Sequence, residues 1–372
     1  MTISLRNERC IMKIRYYVVV LALVLMFVSP LAQPPAVGQA RGGAAAPAIR
    51  PDRTPASVAE ELAAKFQTGP QLPYHLVANW PDLPKGYNFG ECSGVDVDKQ
   101  DNVWIANRGA WPVMVFDKTV KFVQAWTDDT VRMTPSPNHG TGSHGIRVDP
   151  DGNIWLIDVD GHLLHKFNRE GRRLMVIGNR QGGPSNNDSL VGFNRPTNLW
   201  FLPNRDFYVT DGYGNSRVIE FNKNGEYIRH WGTKGQGDGQ FVLPHSVTVD
   251  SKGLVYIADR ANTRMQVFDA TGKFITKWTD IGQPWGVYYV AKENAIYMCD
   301  GLYNRISKLS LEGKVLGVMS SFGKAPGKLD FAHEIAVDSA GSIYVAEIKN
   351  LRVQKWVRNA PAAPAAAAAA KK

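Results

Sequence analysis

Three histidines occupy one position of an internal repeat and provide the main chemical signal in this chain. They are His144, His245 and His333, which begin the segments HGIRVD, HSVTVD and HEIAVD. A lone histidine at the start of a strand is more often a core or capping residue than a ligand. Three in the same phase match the ligand set of a zinc site that keeps a fourth coordination position open. We therefore expect a metal site with zinc as its occupant, the alternative being that the imidazoles only plug a channel.

The repeat that contains these histidines occurs six times. Equivalent positions are 93, 144, 197, 245, 285 and 333, so the copies start 40 to 53 residues apart. Each copy holds short segments in which apolar and polar residues alternate, as in strands, separated by turn sequences such as PDG and SKG. A unit of this length with about four strands is a blade of a β-propeller. The chain is therefore predicted to be all-β, with six blades.

The repeat order places the histidines in blades two, four and six, which lie about 120° apart around the axis of a six-bladed ring. Blades one, three and five carry Ser93, Thr197 and Trp285 at the same position. Because this position begins the innermost strand of a blade, the three imidazoles are expected to converge at one mouth of the central channel.

Residues that follow the second strand of a blade share that mouth, since this strand runs antiparallel to the first. They include Arg108 in blade one, Tyr213 in blade three and Arg260 in blade four. Arginine binds a carboxylate through paired hydrogen bonds, and a tyrosine beside a metal and guanidinium groups can act as a base. Each residue also has a plainer interpretation, as a solvated arginine or a tyrosine packed over a turn. Their convergence on the metal mouth favours a functional role.

The sixth repeat ends at Trp356 without a fourth strand, and residues 74–80 (YHLVANW) have the pattern of the missing one. We expect this N-terminal strand to close the ring, which removes an exposed sheet edge. The repeats resemble NHL repeats in their start (Gly145 to Asp149) and in an Asn-x-Arg end before an apolar strand. That end occurs at residues 215–217, 262–264 and 350–352.

Both ends of the chain differ from the repeats. Basic residues and a short apolar run over 13–28 are typical of a secretory signal peptide, with an uncleaved anchor as the alternative. We divide the chain into a signal peptide (1–40), an Ala/Pro-rich linker (41–73), the propeller (74–359) and a low-complexity tail (360–372). We therefore predict a secreted or periplasmic protein with no membrane attachment after cleavage.

Charge and cysteine content exclude two further classes of protein. The net charge is +9, but much of it lies at the two termini and no basic run occurs in the repeats, so we expect no nucleic-acid partner. Cys92 and Cys299 fall in different repeats and are expected to be free, buried thiols rather than a disulfide framework.

In these residues the chain resembles the peptidyl-α-hydroxyglycine α-amidating lyases, the second catalytic domain of peptide-amidating enzymes. The resemblance covers most of residues 74–358 and is best in blades one to four. It rests on stretches such as SGVDVD, ANRG, HGIRVDPDGNIWLIDV, RPTNLW, VTDGYGNSRV, LPHSVTV, ADRANTRMQ and FAHEIAV. The resemblance implies the following roles: zinc ligands His144, His245 and His333, catalytic Tyr213, and active-site Arg108 and Arg260.

The resemblance also implies a structural calcium ion in the channel, bound by the backbone carbonyls of Val95 and Ile146 and by the carboxylate of Glu334. The family has aspartate at the last of these positions, so the reach of the carboxylate differs here. Phe331-Ala332 replaces Met-Pro before the third histidine, which changes the pocket wall near the metal. The disulfides of the animal enzymes are absent, and Gly214 stands where one of their cysteines would be.

Our first hypothesis is a zinc-dependent lyase that cleaves the C–N bond of a peptidyl- or N-acyl-α-hydroxyglycine, giving an amide and glyoxylate. Its substrate would be a small molecule or peptide with a terminal carboxylate, and a copper monooxygenase would be a candidate partner that supplies it. The alternatives are a non-catalytic NHL-repeat binding propeller and a zinc hydrolase of another exported substrate. A hydrolase would favour an acidic base near the metal, for which Glu334 is the candidate.

Overall fold

The computed structural model of the chain describes residues 60–61, 64–119, 121–179 and 182–360. The predicted signal peptide lies outside the described residues, as do most of the linker and most of the tail. In the described part, the chain forms six four-stranded antiparallel sheets, which confirms the prediction of an all-β, six-bladed propeller. No helix in these ranges has the length and apolarity needed to cross a membrane.

The strands follow one another blade by blade. After β1 (Tyr74–Leu76), blade one consists of β2 (Cys92–Val97), β3 (Val103–Asn107), β4 (Val113–Phe116) and β5 (Phe122–Trp126). A short helix, α1 (Asp128–Val131), and two short strands, β6 (Pro135–Ser136) and β7 (Gly140–Thr141), lead to the second blade. Blade two consists of β8 (Ser143–Val148), β9 (Ile154–Asp158), β10 (Leu163–Phe167) and β11 (Arg173–Gly178). Blade three consists of β12 (Pro196–Phe201), β13 (Phe207–Asp211), β14 (Arg217–Phe221) and β15 (Tyr227–Trp231).

The second half of the propeller repeats this order. After the short parallel pair β16 (Thr233–Lys234) and β17 (Gln240–Phe241), blade four consists of β18 (Pro244–Val249), β19 (Val255–Asp259), β20 (Arg264–Phe268) and β21 (Phe274–Trp278). Blade five consists of β22 (Pro284–Val290), β23 (Ala295–Asp300), β24 (Arg305–Leu309) and β25 (Val315–Met319). Blade six consists of β26 (Ala332–Val337), β27 (Ile343–Glu347), β28 (Arg352–Arg358) and β1. Single 3-10 turns lie at Arg260–Asn262 and Ala291–Glu293.

The first strand of each blade lines the axis. These strands contact their neighbours in the order β2, β8, β12, β18, β22, β26 and back to β2. In the sixth blade, β1 pairs with β28 so that Tyr74 lies opposite Arg358. This strand is shorter than the predicted segment 74–80, because the chain leaves the sheet and Trp80 packs on Phe116 and Tyr344 between blades one and six.

Every inner strand begins one residue before the position predicted from the repeat. In each blade the pairing of the inner strand with its neighbour shifts at that position, as in a β-bulge, so the residue there has no partner across the ladder. The residues concerned are Ser93, His144, Thr197, His245, Trp285 and His333. A bulge of this kind redirects a side chain out of the regular alternation of a strand. The repeat therefore positions the histidines through a backbone irregularity that all six blades share.

The core consists of six hydrophobic clusters in the described residues, one in each seam between neighbouring blades. In the seam between blades one and two, Trp104 and Trp126 pack in an edge-to-face pair, and Phe167 lies against Trp126. Truncation of a buried aromatic residue to alanine costs about 3–5 kcal/mol in other proteins. The seams therefore hold the inner strands rigidly enough to fix side chains on the axis.

The Asn-x-Arg ends of the repeats form ion pairs with the buried carboxylate that ends the preceding strand. Arg217 pairs with Asp211 at 3.0 Å and donates further hydrogen bonds to the carbonyls of Asn187, Ser189 and Gly192. The equivalent pairs are Arg264 with Asp259 at 3.0 Å and Arg352 with Glu347 at 2.7 Å. The motif thus ties the loop that enters a blade to the blade itself.

The two cysteines have the predicted state. Cys92 and Cys299 are free and buried, and burial raises the pKa of both thiols well above the ordinary value. A thiol that keeps its proton is a poor nucleophile and a poor metal ligand, so neither residue enters the chemistry of the site.

Candidate metal centre and active site

The three histidines predicted as metal ligands converge on the axis. His144, His245 and His333 are buried, their ring centroids lie 4.7 to 5.0 Å apart, and one ligand nitrogen from each lies within 4.8 Å of the others. This is the one group of three or more potential metal-ligating side chains within the described ranges.

Each imidazole is oriented by a carbonyl of the next blade. The Nδ1 atoms bond the residues at the same repeat position there: His144 bonds Thr197 (2.7 Å), His245 bonds Trp285 (2.9 Å) and His333 bonds Ser93 (2.7 Å). A carbonyl oxygen only accepts, so each Nδ1 carries the proton and each Nε2 keeps a lone pair directed toward the other two rings. Ligating histidines in metalloproteins are held in this way. The odd-numbered blades, which lack a histidine at this position, therefore supply the carbonyl groups that orient the histidines of the even-numbered blades.

The electrostatics of the centre keep the imidazoles neutral. Burial lowers the pKa of His144 and His245 well below the ordinary value, and neighbouring imidazoles and arginines add to this. Burial and the charge of Arg108 lower the pKa of His333 to about 3. Neutral imidazole is the form that binds a metal ion, so no proton has to be displaced at neutral pH.

Tyr213 follows β13 and reaches the same point. Its hydroxyl lies 3.1 Å from Nε2 of His144 and 3.4 Å from Nε2 of His245. Gly212 allows this approach, because a Cβ atom there would lie 2.0 Å from the carbonyl oxygen of Pro244, the residue before His245. Tyr213 brings a single hydroxyl proton to a place where three nitrogen acceptors meet. A cation at this point would satisfy all three, so the donor set fits a metal ion of the zinc type.

Arg260 forms the next contact of the tyrosine. It begins the 3-10 turn after β19, and its Nη1 donates a hydrogen bond to the hydroxyl of Tyr213 at 3.2 Å. The guanidinium lies over the ring of Trp285 at 4.1 Å and over the ring of Tyr213 at 5.2 Å. Two aromatic faces therefore hold the cation in place, with one edge against the tyrosine oxygen.

Arg108 reaches the same mouth, with its charge already paired. Its Nη1 donates to Oε2 of Glu91 at 2.7 Å, and its Nε donates to the carbonyl of Ser143, the residue before His144. His139, between β6 and β7, places its Nδ1 2.9 Å from the same oxygen of Glu91. Sequence reasoning missed Glu91 and His139, because both lie outside the strands that the repeat defines.

Arg195, directly before β12, is a third guanidinium at this mouth that the sequence reasoning did not single out. It lies over the ring of Tyr213 at 5.4 Å, and its carbonyl accepts the backbone N–H of Tyr213. Its Nη2 donates to Asp160 at 2.9 Å. A signal was available, since the residue directly before an inner strand belongs to the same mouth as the histidines.

The residues expected to bind calcium surround an arginine instead. Arg147 donates from Nη2 to Oε1 of Glu334 at 3.0 Å and from Nη1 to the carbonyl of Val95 at 3.4 Å. Asn198 donates to the other carboxylate oxygen of Glu334 at 2.5 Å. The side chain of Ile146, whose backbone carbonyl was the third expected ligand, packs in the seam between blades one and two. Because nitrogen donors face both oxygens of Glu334 and a cation is already present, these side chains do not fit a calcium ion.

Comparison with known proteins agrees with this architecture. A family described as a 6-bladed beta-propeller (DUF5128) matches residues 191–348. NHL repeat-containing protein 3 of Homo sapiens is 30% identical over 76% of this chain and 84% of its own length. Peptidyl-alpha-hydroxyglycine alpha-amidating lyase 1 of Drosophila melanogaster is 28% identical over 86% of this chain and 65% of its own.

Two further matches differ in how much of each protein is covered and in sequence identity. Peptidyl-glycine alpha-amidating monooxygenase B of Xenopus laevis is 28% identical over 75% of this chain, which spans 35% of that protein. A solved streptogramin B lyase has a TM-score of 0.54 at 16% identity, covering 77% of this chain and 98% of its own. At that identity the likeness shows the shared fold alone.

Proposed function

The chain belongs to the family of NHL-repeat six-bladed β-propellers that includes NHL repeat-containing protein 3, and from this premise we propose that it is a metal-dependent lyase of the amidating type. Its reaction would cleave the C–N bond of a peptidyl- or N-acyl-α-hydroxyglycine into an amide and glyoxylate. The observation that carries the proposal is the hydroxyl of Tyr213, which lies against two of three convergent imidazoles and accepts a hydrogen bond from Arg260. The similarity to named amidating lyases supports the same reaction class.

Zinc is the metal we propose for the three histidines, since three neutral imidazoles and an open position form a known catalytic zinc site. When bound, the ion would supply a Lewis acid for the oxygen of the substrate's α-hydroxyl group.

The side chains of this chain would then move one proton and hold one anion. Tyr213, deprotonated to the phenolate, would accept the proton of the α-hydroxyl group, and the hydrogen bond from Arg260 would stabilise the negative charge of the tyrosine oxygen before that transfer. The electrons of the O–H bond form the aldehyde of glyoxylate as the C–N bond breaks, and the proton returns to the amide nitrogen. No group is oxidised or reduced. The fork of Arg260, with Arg108 beside it, would hold the substrate carboxylate.

A hydrolase would favour a carboxylate that is free to activate water, and the contacts argue against the two candidates near the site. Glu334 accepts hydrogen bonds from Arg147 and Asn198 on its two oxygens. Glu91 is paired with Arg108 and lies against His139. Tyr213 is therefore the better candidate for the base, which favours a lyase.

Substrate supply and location belong to the proposal as well. The chain spans about a third of the Xenopus monooxygenase that it matches. The α-hydroxyglycine substrate of the proposed reaction would be formed by a hydroxylating enzyme. A copper monooxygenase is the expected class. Export rests on the N-terminal sequence, whose apolar run follows basic residues.

The direct test is glyoxylate release from α-hydroxyhippurate by zinc-loaded protein. We expect turnover by the parent protein and a loss of about 10²- to 10⁴-fold in Tyr213→Phe, because that variant keeps the ring but lacks the proton acceptor. Tyr227→Phe, which changes a hydroxyl bonded to His230 on an outer strand, is the matched control and should keep full activity. Absence of turnover in folded, zinc-loaded parent protein would reject this substrate class. Full turnover in Tyr213→Phe would remove the tyrosine from its assigned role.

A further inference from the structure

Arg147 lies on the propeller axis, three residues along β8 from His144. Its side chain is 2% exposed, so its charge must be balanced inside the protein. Glu334 of blade six supplies the counter-charge at 3.0 Å. The carbonyls of Val95 in blade one and Leu199 in blade three accept from the other guanidinium nitrogens at 3.4 and 3.3 Å. The guanidinium therefore contacts three other blades directly.

Glu334 extends this network through its second oxygen. Asn198 of blade three donates to that oxygen and also to the hydroxyl of Ser246 in blade four at 2.9 Å. Gly286 of blade five leaves room for the carboxylate, because a Cβ atom there would lie 2.8 Å from Oε1 of Glu334. Each oxygen of the buried carboxylate thus has its own nitrogen donor.

Two aromatic rings cover the guanidinium from the far side. Arg147 lies 5.7 Å from the ring centroid of Trp200 in blade three and 6.0 Å from that of Tyr288 in blade five, and these rings meet edge to face at 5.2 Å. With Asp96 they line one cavity at this end of the channel. Through Arg147 and its partners, residues of all six blades meet on the axis.

We propose that Arg147 supplies, as a permanent part of the chain, the axial positive charge that the resembled lyases take from a calcium ion, so that this propeller is braced without calcium. Calcium prefers six to eight oxygen ligands. Here an amide nitrogen and a guanidinium nitrogen point at the two carboxylate oxygens, and a second cation would meet the charge of Arg147 at contact distance. The inference does not depend on the proposed lyase activity.

Removal of the arginine would leave its oxygen partners without a cation. In Arg147→Ala the carboxylate of Glu334 and the carbonyls of Val95 and Leu199 would face a cavity of the size of the lost side chain. An unpaired buried carboxylate with neighbouring carbonyl oxygens is a set of ligands that calcium accepts. The variant should therefore acquire the dependence on calcium that the parent protein lacks.

The experiment compares thermal unfolding and calcium content in zinc-loaded full-length protein dialysed against calcium-free buffer. We expect the parent protein to bind no calcium by calorimetric titration and to keep its Tm when CaCl2 is added. Arg147→Ala should lose about 10 °C in Tm, since a buried carboxylate loses its partner, and CaCl2 but not NaCl of equal ionic strength should restore at least half of the loss. Arg205→Ala is the control, because Arg205 pairs with Asp151 at 2.9 Å on the surface.

Three outcomes would overturn the proposal. One equivalent of calcium retained by the dialysed parent protein would do so, as would a rise of its Tm with CaCl2. If Arg147→Ala is destabilised and its Tm does not rise with CaCl2, a calcium ion cannot take the place of the guanidinium. If Arg147→Ala fails to fold, Arg147→Lys replaces it: a single ammonium cannot fill the fork of contacts, so its Tm should fall by a smaller amount. The calcium content of the parent protein then decides alone.

Discussion

The channel of this propeller contains two clusters built on the same inner strands, and they differ in how their polar atoms are matched. In the first, three imidazoles direct acceptor nitrogens at one another, with one tyrosine hydroxyl among them. In the second, around Arg147, a positive charge faces a negative one and both oxygens of Glu334 accept hydrogen bonds. Hydrogen-bond acceptors that face one another do not stabilise a fold. In the cluster around Arg147, by contrast, the donors and acceptors already have partners. The first cluster could therefore hold a metal ion, whereas the polar atoms of the second are paired within the protein.

The two clusters arise from different positions of one repeat. The histidines occupy the bulge at the start of each even-numbered inner strand. Glu334 follows one residue later, and Arg147 three residues after its own bulge. The bulge position faces the mouth with the loops that carry Tyr213 and Arg260, while the later positions face the interior of the channel. The same backbone therefore places one layer of side chains at the mouth and the next layer inside the channel.

The largest effect that would test this contrast is the loss of metal from the first cluster. His245→Ala removes one of three ligands, so zinc content should fall from about one ion per chain to near zero, and glyoxylate release should fall to background. Elemental analysis after dialysis measures this. The matched control is His75→Ala, which changes an exposed histidine on β1 bonded to Asn359 and should keep full zinc content. Full zinc content in His245→Ala would remove the functional half of the comparison.

A second, smaller effect concerns the free energy of unfolding of the matched cluster. Arg147→Met should cost about 3–5 kcal/mol, because the buried carboxylate of Glu334 loses its counter-charge. The double variant with Glu334→Leu should be more stable than Arg147→Met, since the carboxylate that lost its hydrogen-bonded counter-charge is removed as well. It should still be about 1–3 kcal/mol less stable than the parent protein, because Asn198 loses an acceptor.

Urea unfolding of the zinc-loaded variants measures these differences, and elemental analysis should show zinc retained in all of them. The exposed pair provides the control: Arg205→Met should change the free energy of unfolding by about 1 kcal/mol or less. If Arg147→Met is as stable as Arg205→Met, the cluster around Arg147 does not join the blades, and the two clusters do not differ in the way described.

The sequence predicted the first cluster better than the second, for a physical reason. Histidines that recur at one repeat position stand out from the mostly apolar strands around them. The repeat alone was therefore enough to place His144, His245 and His333 on the axis. The six inner strands also begin one residue from their predicted starts. The position of Arg147 within HGIRVD looks like any polar residue of an alternating strand. Its direction depends on the bulge at His144, which repeat spacing alone does not reveal.

Loop residues were missed for another reason. Glu91 and His139 reach Arg108 from segments outside the repeat, so their contacts depend on loop conformation rather than on periodicity. The tyrosine and the two arginines were found because each lies within two residues of the end of the second strand of a blade, where topology fixes the face of the propeller. The sequence did not reveal the partners of the two arginines. Arg108 pairs with an acidic residue, whereas Arg260 lies between two aromatic rings.

The smallest effect we predict lies at the rim of the first cluster, where Arg195 covers the ring of Tyr213 at 5.4 Å and is 43% exposed at its side chain. A cation over an aromatic ring at an exposed site contributes about 0.5–1 kcal/mol. Arg195→Gln should therefore lower kcat/KM for glyoxylate release about 2- to 5-fold, with zinc content unchanged. Asp160→Asn is the matched control, because it breaks the ion pair of Arg195 but leaves the guanidinium in the chain, and its effect should be smaller.

A double-mutant cycle with Tyr213→Phe decides whether Arg195 acts through the tyrosine. If it does, Arg195→Gln should have no further effect in the Tyr213→Phe background, because the hydroxyl whose charge it stabilises is gone. Additive losses would show that Arg195 contacts the substrate itself. Arg195 would then be part of the substrate-binding site, and that site would extend further from the axis than the three histidines and Tyr213.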